Sequence, residues 1–208
     1  MRTVLTTLIL VLIVTCAVSS AQEGGAFVGS LGFGLTAAQS DFASSTTGFS
    51  GGSGFGMEAD LQFYLWRGFS IGGLVNYMRF GSSYQSDRGR LSFNFSQLGG
   101  FAKMNFIGLS NGVIYLTGGG GTFTPSAHYY IPDNSIDEAA TESGYFGYGG
   151  IGLSSRTAFR MIYEFEIRYN YARADYTLDS ISSNVWDFIY AGVKLSFASK
   201  GKEAPPRY

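Results

Sequence analysis

A single cysteine among 208 residues, Cys16, excludes an internal disulfide, so the fold is held together without a covalent staple. Histidine is as scarce. His128 stands alone, which excludes the clustered imidazoles of most zinc sites. Charge is thin, at 14% of residues against the ~25% of an average soluble domain. A net charge of −1 leaves no basic surface, so a nucleic-acid partner is not expected. No run of residues reaches the ~20 apolar positions that a helix needs to cross a bilayer. The longest, Leu5 to Val14, falls well short.

What is abundant points elsewhere. Glycine reaches 30 residues and aromatics 16%. Between Phe159 and Tyr171 every odd position is apolar or aromatic: Phe159, Met161, Tyr163, Phe165, Ile167, Tyr169 and Tyr171. Arg160, Glu164, Glu166, Arg168 and Asn170 fill the even positions, with Ile162 the exception. Period two means an extended strand with one oily and one ionic face. Ordinary strands run ~5–6 residues, whereas a tilted membrane-crossing strand needs ~9–11. This one is long enough to cross.

Similar segments recur at about 26–36, 54–65, 69–80, 91–106, 113–124, 144–154 and 185–197. In 54–65, Phe55, Met57, Ala59, Leu61, Phe63 and Leu65 alternate with Gly56, Glu58, Asp60, Gln62 and Tyr64. In 91–106 the phase slips from Leu91, Phe93 and Phe95 to Leu98, Ala102 and Met104, which predicts a bulge near Ser96 and Gln97. Four consecutive glycines, Gly118 to Gly121, leave the facing of 113–124 open, and 144–154 is similarly ambiguous. Long polar connections (37–53, 81–90, 125–143, 173–184) alternate with short turns near Arg67, Asn111 and Ser155. Long loops then share one rim and short turns the other, as in outer-membrane barrels. The expected fold is all-β: an eight-stranded, antiparallel, up-and-down transmembrane β-barrel. Closure would satisfy every backbone group in lipid.

Residues 1–21 read as a signal peptide, with Arg2, the apolar stretch 5–14 and the small residues Ser19-Ser20-Ala21 before a cleavage site. Cys16 falls inside it, and Thr15 disfavours lipidation there. The barrel is expected over 22–197, followed by a polar periplasmic tail, 198–208, with two prolines.

With the oily faces outward, the interior would hold Glu58, Asp60, Glu164 and Glu166 together with Lys103, Arg160, Arg168 and Lys194. An eight-stranded barrel has room only for side chains. These charges are therefore expected to neutralise one another as a plug, rather than to line an ion path. Lys194 is expected to lie diagonally from Glu164, and inward-facing Gly192 to accept serine. No catalytic residue, metal or cofactor is assigned. His128, flanked by Ser126 and near Glu142, sits in a loop without strand-fixed geometry. Asp133, Asp137, Glu138 and Glu142 fit no calcium-loop spacing, and Gly118 to Gly121 precede no helix.

The last strand carries Ile189, Ala191, Val193, Leu195 and Phe197 in alternation. This row resembles the terminal assembly signal of bacterial outer-membrane proteins. The segment Gln97-Leu98-Gly99-Gly100-Phe101-Ala102-Lys103-Met104-Asn105-Phe106, followed by a glycine-rich strand, is similar to the fourth-to-fifth strand region of small barrels such as OmpX and the OmpA membrane domain. The chain departs from that pattern in continuing for 11 residues past Phe197, where the family's signal usually ends the protein. The resemblance implies a non-enzymatic protein of the Gram-negative outer membrane, with a structural, surface-interaction or narrow-permeability role. It further implies contact with outer-membrane lipid and the assembly machinery, and a monomer whose extracellular partner is unspecified. Two rivals stand beside it. One is an outer-membrane lipid-modifying enzyme, and the other an exported soluble barrel of lipocalin type with its oily face around a ligand.

Overall fold

The computed structural model describes residues 26–39, 50–66, 68–83, 90–109, 112–130, 136–138, 140–156, 161–178 and 181–198. The segment read as a signal peptide, Arg160, and tail residues 199–208 lie outside them. The alternating segments form antiparallel strands: β1 (Phe27–Ala38), β2 (Ser50–Trp66), β3 (Phe69–Ser83), β4 (Arg90–Leu109), β5 (Gly112–Tyr130), β6 (Ile136–Glu138), β7 (Ala140–Thr141), β8 (Gly144–Arg156), β9 (Met161–Leu178) and β10 (Ile181–Ala198). Eight of these build the wall in the order β1-β2-β3-β4-β5-β8-β9-β10, and β10 pairs back to β1. That closing seam runs continuously from Val28↔Ala198 to Ala38↔Phe188. The two short strands flank the wall, β6 against β5 and β7 against β9. The fold is a closed, eight-stranded antiparallel barrel.

Its facing is the reverse of a water-soluble protein. On β9, Tyr163, Phe165, Ile167, Tyr169 and Tyr171 are exposed, while Glu164, Glu166, Arg168 and Asn170 are buried in the lumen. Among the described residues, more large hydrophobic side chains are exposed than buried. A lipocalin-type barrel requires the opposite arrangement, so that rival reading is overturned.

The apolar surface forms a belt. On β10 it runs from Ile189 to Phe197 and on β9 from Tyr163 to Tyr171. At ~3.3 Å per residue and a tilt of ~40°, such a stretch rises ~23 Å, close to the ~25 Å apolar band of outer-membrane barrels. Aromatics mark both edges: Phe27, Phe106, Tyr163 and Phe197 toward the short-turn rim, Phe55, Tyr77, Tyr145 and Tyr171 toward the long-loop rim. Beyond the second edge the outward positions turn polar, with Arg79, Ser96, Thr122, Arg173 and Asp175.

The strands continue past the belt, which corrects two expectations. The connection expected over 173–184 is largely a hairpin, with β9 reaching Leu178 and β10 beginning at its partner Ile181. The insertion expected over 125–143 contains the end of β5 together with β6 and β7. Hydrophobic alternation stops at the edge of the apolar belt, but backbone pairing does not, so polar strand extensions read as loops. No bulge occurs at Ser96 and Gln97 either. Register against β3 is unbroken from Phe69↔Met104 to Ser83↔Arg90, and the irregularity in β4 falls between Asn105 and Ile107. The apparent phase slip arises because Phe93 and Phe95 point inward while Leu98 and Met104 point outward. The open question of β5 is also settled: Val113, Tyr115, Thr117 and Phe123 face the lumen.

Val193 lies halfway along the belt on β10. Replacing it with arginine puts a cation on the outer wall at mid-depth, which costs ~2–4 kcal/mol in lipid. Folding yield in lipid vesicles, read by electrophoretic mobility of unheated samples, is expected to fall sharply for Val193→Arg and to stay at the parent level for Asp175→Arg. Equal yields would misplace the belt.

Candidate functional site

The lumen is filled in two successive layers. Nearer the short-turn rim lies an ionic layer. Its members stand on inward positions of five strands: Glu58 and Asp60 on β2, Lys103 on β4, Tyr115 on β5, Glu164, Glu166 and Arg168 on β9, and Lys194 on β10. All four carboxylates expected there from the alternation are buried, as are Lys103, Arg168 and Lys194.

Arg168 is the keystone. Its guanidinium bonds Glu58 and lies 3.1 Å from Glu166. Two rings sandwich it, Tyr190 at 4.4 Å and Tyr148 at 4.9 Å from the guanidinium carbon. Lys194 pairs with Glu58 and approaches Asp60 at 3.3 Å and Glu166 at 3.5 Å. Lys103 pairs with Glu164 and stands 3.9 Å over the ring of Tyr115. The Tyr115 hydroxyl donates to Glu166 at 2.9 Å and to Glu164 at 3.4 Å, which joins the two halves. Asn76 extends the layer to the opposite wall, donating to Glu58 and to Gln97, both at 3.4 Å. Removing an ion from water costs several kcal/mol, so such a layer persists only because its members satisfy one another. Lys194 and Glu164 turn out to be direct cross-strand partners rather than diagonal ones. Each nevertheless takes its ion partner from a non-adjacent strand: Lys194 reaches Glu58 over Gly32 of β1, and Glu164 meets Lys103 of β4 across the lumen.

Nearer the long-loop rim lies an aromatic layer that alternation alone did not reveal. Phe80, Phe93, Phe95, Phe123, Phe146, Trp186 and Phe188 pack with Leu74 and Met78 into one buried cluster. Phe95 is central, with ring centroids of Phe80 and Phe123 at 5.1 Å and of Trp186 at 5.2 Å. The Trp186 indole N–H donates to the Ala174 carbonyl at 3.0 Å, so its polar end is satisfied as well. Inward apolar residues on β3, β4 and β10 were the available signal, masked because outward apolar residues flank them.

Inward glycines make room for the rings as well as for the charged side chains. A Cβ on Gly34 would lie 2.6 Å from Cζ of Tyr190, and one on Gly192 would meet the same ring at 2.5 Å. Gly192 therefore does not accept serine as expected from its neighbours in sequence; the Tyr190 ring occupies the space above it. A Cβ on Gly152 would collide with the Tyr115 ring and lie 2.7 Å from the Phe165 carbonyl oxygen.

His128 belongs to β5, opposite Ser92 and Glu138 in the ladder, and its side chain lies outside the described residues. Among the described residues no group of three or more His, Cys, Asp or Glu could hold a metal ion.

Two measurements test this packing. Arg168→Met removes the cation shared by two buried carboxylates and is expected to lower unfolding free energy in lipid vesicles by ~3–5 kcal/mol. An unchanged urea midpoint would mean that water solvates these charges. Gly152→Ala, which overpacks the lumen, is expected to cost ~1–3 kcal/mol. Gly149→Ala, on the outer face with nothing within 4 Å of the new Cβ, should leave the midpoint in place.

No family model and no curated protein matches the sequence. The fold does match solved structures. The crystal structure of Neisserial surface protein A (NspA) superposes with a TM-score of 0.53 at 17% identity, covering 84% of this chain and 99% of that one. Ail, the attachment invasion locus protein of Yersinia pestis, gives 0.50 at 15% identity over 84% of this chain and 100% of its own. The outer membrane protein OprG from Pseudomonas aeruginosa gives 0.53 at 10% identity over 86% and 98%. The chain therefore has the closed eight-stranded antiparallel barrel fold of small outer-membrane proteins such as these.

Proposed function

We propose that the protein is a non-enzymatic barrel of the Gram-negative outer membrane, closed to solute flow, whose function is carried by its surface beyond the lipid. The carrying observation is the lumen filled in succession by a neutralising ionic layer and an aromatic one. A pore needs a continuous wet path, and two dry barriers in series oppose it. The strand extensions past the apolar belt present polar side chains on a rigid, hydrogen-bonded frame. Such a frame suits contact with a partner outside the cell better than loops alone, because less ordering entropy is lost on binding. The names of two proteins of the same fold, a surface protein and an attachment protein, agree with that role. Lipid contacts the belt, and the closed wall needs no second copy for its completion.

Planar-bilayer recording tests the closed lumen. The parent protein is expected to insert without a large, stable current step, and a wide-pore conductance would contradict the reading.

The row Ile189, Ala191, Val193, Leu195 and Phe197 faces outward along the closing strand, in position for the assembly machinery to read before β10 meets β1. Phe197→Ser is expected to reduce outer-membrane levels in cells far more than removal of residues 199–208 does. The reverse ranking would move the signal to the tail.

A further inference from the structure

The closing seam between β10 and β1 is built from the least cohesive strand of the wall. Among the described residues β1 is the shortest of the eight wall strands, at 12 residues. Its inward positions Gly32 and Gly34 carry no side chain to pack against a neighbour. Glycine inside a strand weakens it. The ladder across this seam is nevertheless unbroken.

What covers those glycines comes from β10 and is anchored on β2. Gly32 is the direct cross-strand partner of both Lys194 on β10 and Glu58 on β2. The Lys194 stem passes over it, with Cγ 2.9 Å from the place a Cβ of Gly32 would take. Its ammonium then bonds Glu58 and approaches Asp60 at 3.3 Å, both on β2. Gly34 stands in the same way between Gly192 on β10 and Gly56 on β2. Over this row lies the fully buried Tyr190 ring, 2.6 Å from the Cβ position of Gly34 and 3.1 Å from that of Gly56. Arg168 holds the ring from the lumen side, its guanidinium carbon 4.4 Å from the ring centre, while it bonds Glu58. Two side chains of the last strand therefore reach across the first one and are fastened beyond it. The Lys103–Glu164 pair, by contrast, joins β4 to β9 and lies away from the seam.

We propose that Lys194 and Tyr190 form a latch over β1 that keeps the seam shut, so that sideways opening of the wall begins with their release. An open seam would turn two rows of backbone groups toward lipid, each unmet group costing several kcal/mol. The latch opposes that step by tying β10 to β2 independently of the ladder it covers. It also orders closure: β1 takes its place between β10 and β2 before Lys194 reaches Glu58, because side chains already fastened to β2 leave no entry beneath them. Glycine at 32 and 34 is the condition for the latch, since a larger residue would stand where the stem and the ring lie.

Hydrogen exchange of backbone amides in lipid vesicles tests it. Lys194→Met is expected to speed exchange at the β1 amides bonded to β10 by about tenfold or more, with the amides between β4 and β5 at the parent rate. Lys103→Met breaks a buried ion pair away from the seam and is expected to leave β1 at the parent rate. No acceleration in Lys194→Met, or equal acceleration of β1 and of β4–β5, would overturn the latch, as would acceleration of β1 by Lys103→Met. A cross-link covers the case in which Lys194→Met does not fold. Leu31→Cys with Leu195→Cys places a disulfide between direct cross-strand partners of the seam. Oxidation of that pair is expected to restore folding of Lys194→Met, read by electrophoretic mobility of unheated samples. A cross-linked variant that stays unfolded would place the role of Lys194 away from the seam and overturn the proposal.

Discussion

Everything in this molecule follows from one obligation: in lipid, each backbone N–H and C=O must be hydrogen-bonded within the protein, since an unmet group costs several kcal/mol. A sheet can meet that obligation only by closing on itself. The seam between β10 and β1 does so in unbroken register, and it brings together the first and last strands of the described chain. Without it, β1 and β10 would each present a row of unpaired groups to hydrocarbon. The outer belt of Leu, Ile, Val, Phe and Tyr has no protein layer over it, as suits a surface that lipid would cover.

Closure transfers the burial problem from the outside to the inside. Side chains on the inward positions lose water on a wall too narrow to readmit it, and the chain handles this differently at two heights. Near the short-turn rim it places acids against bases, with Arg168 held between two carboxylates and two tyrosine rings. Near the long-loop rim it places phenylalanines and a tryptophan edge to face. Inward glycines are the condition for both, since the Tyr190 and Tyr115 rings lie where a methyl group would be. A lumen filled this way holds its shape without a disulfide, and it carries a rigid polar frame past the apolar belt.

Much of this was legible beforehand. The strand segments, their number and the outward direction of residues such as Leu61, Ile167 and Val193 follow from alternation alone, and so does the inward direction of Glu58, Glu164 and Lys194. Alternation failed where both faces are apolar. Phe93 and Phe95 looked like an outward row with a slip after them, when they are the inward aromatic layer. It failed again above the belt, where 173–184 contains paired strands that look like loop, because water accepts polar side chains on either face of a strand.

The sequence by itself determined the facing of the membrane-depth strands, because period two is a property of neighbouring residues and needs no knowledge of distant ones. Tertiary structure alone decided the pairings. Lys194 lies opposite Glu164 on the ladder, yet bonds Glu58 from β2, while Glu164 takes Lys103 from β4. Side chains of several ångströms cross a narrow lumen, so partners are chosen by three-dimensional proximity and by charge. Only closure of the barrel sets that proximity.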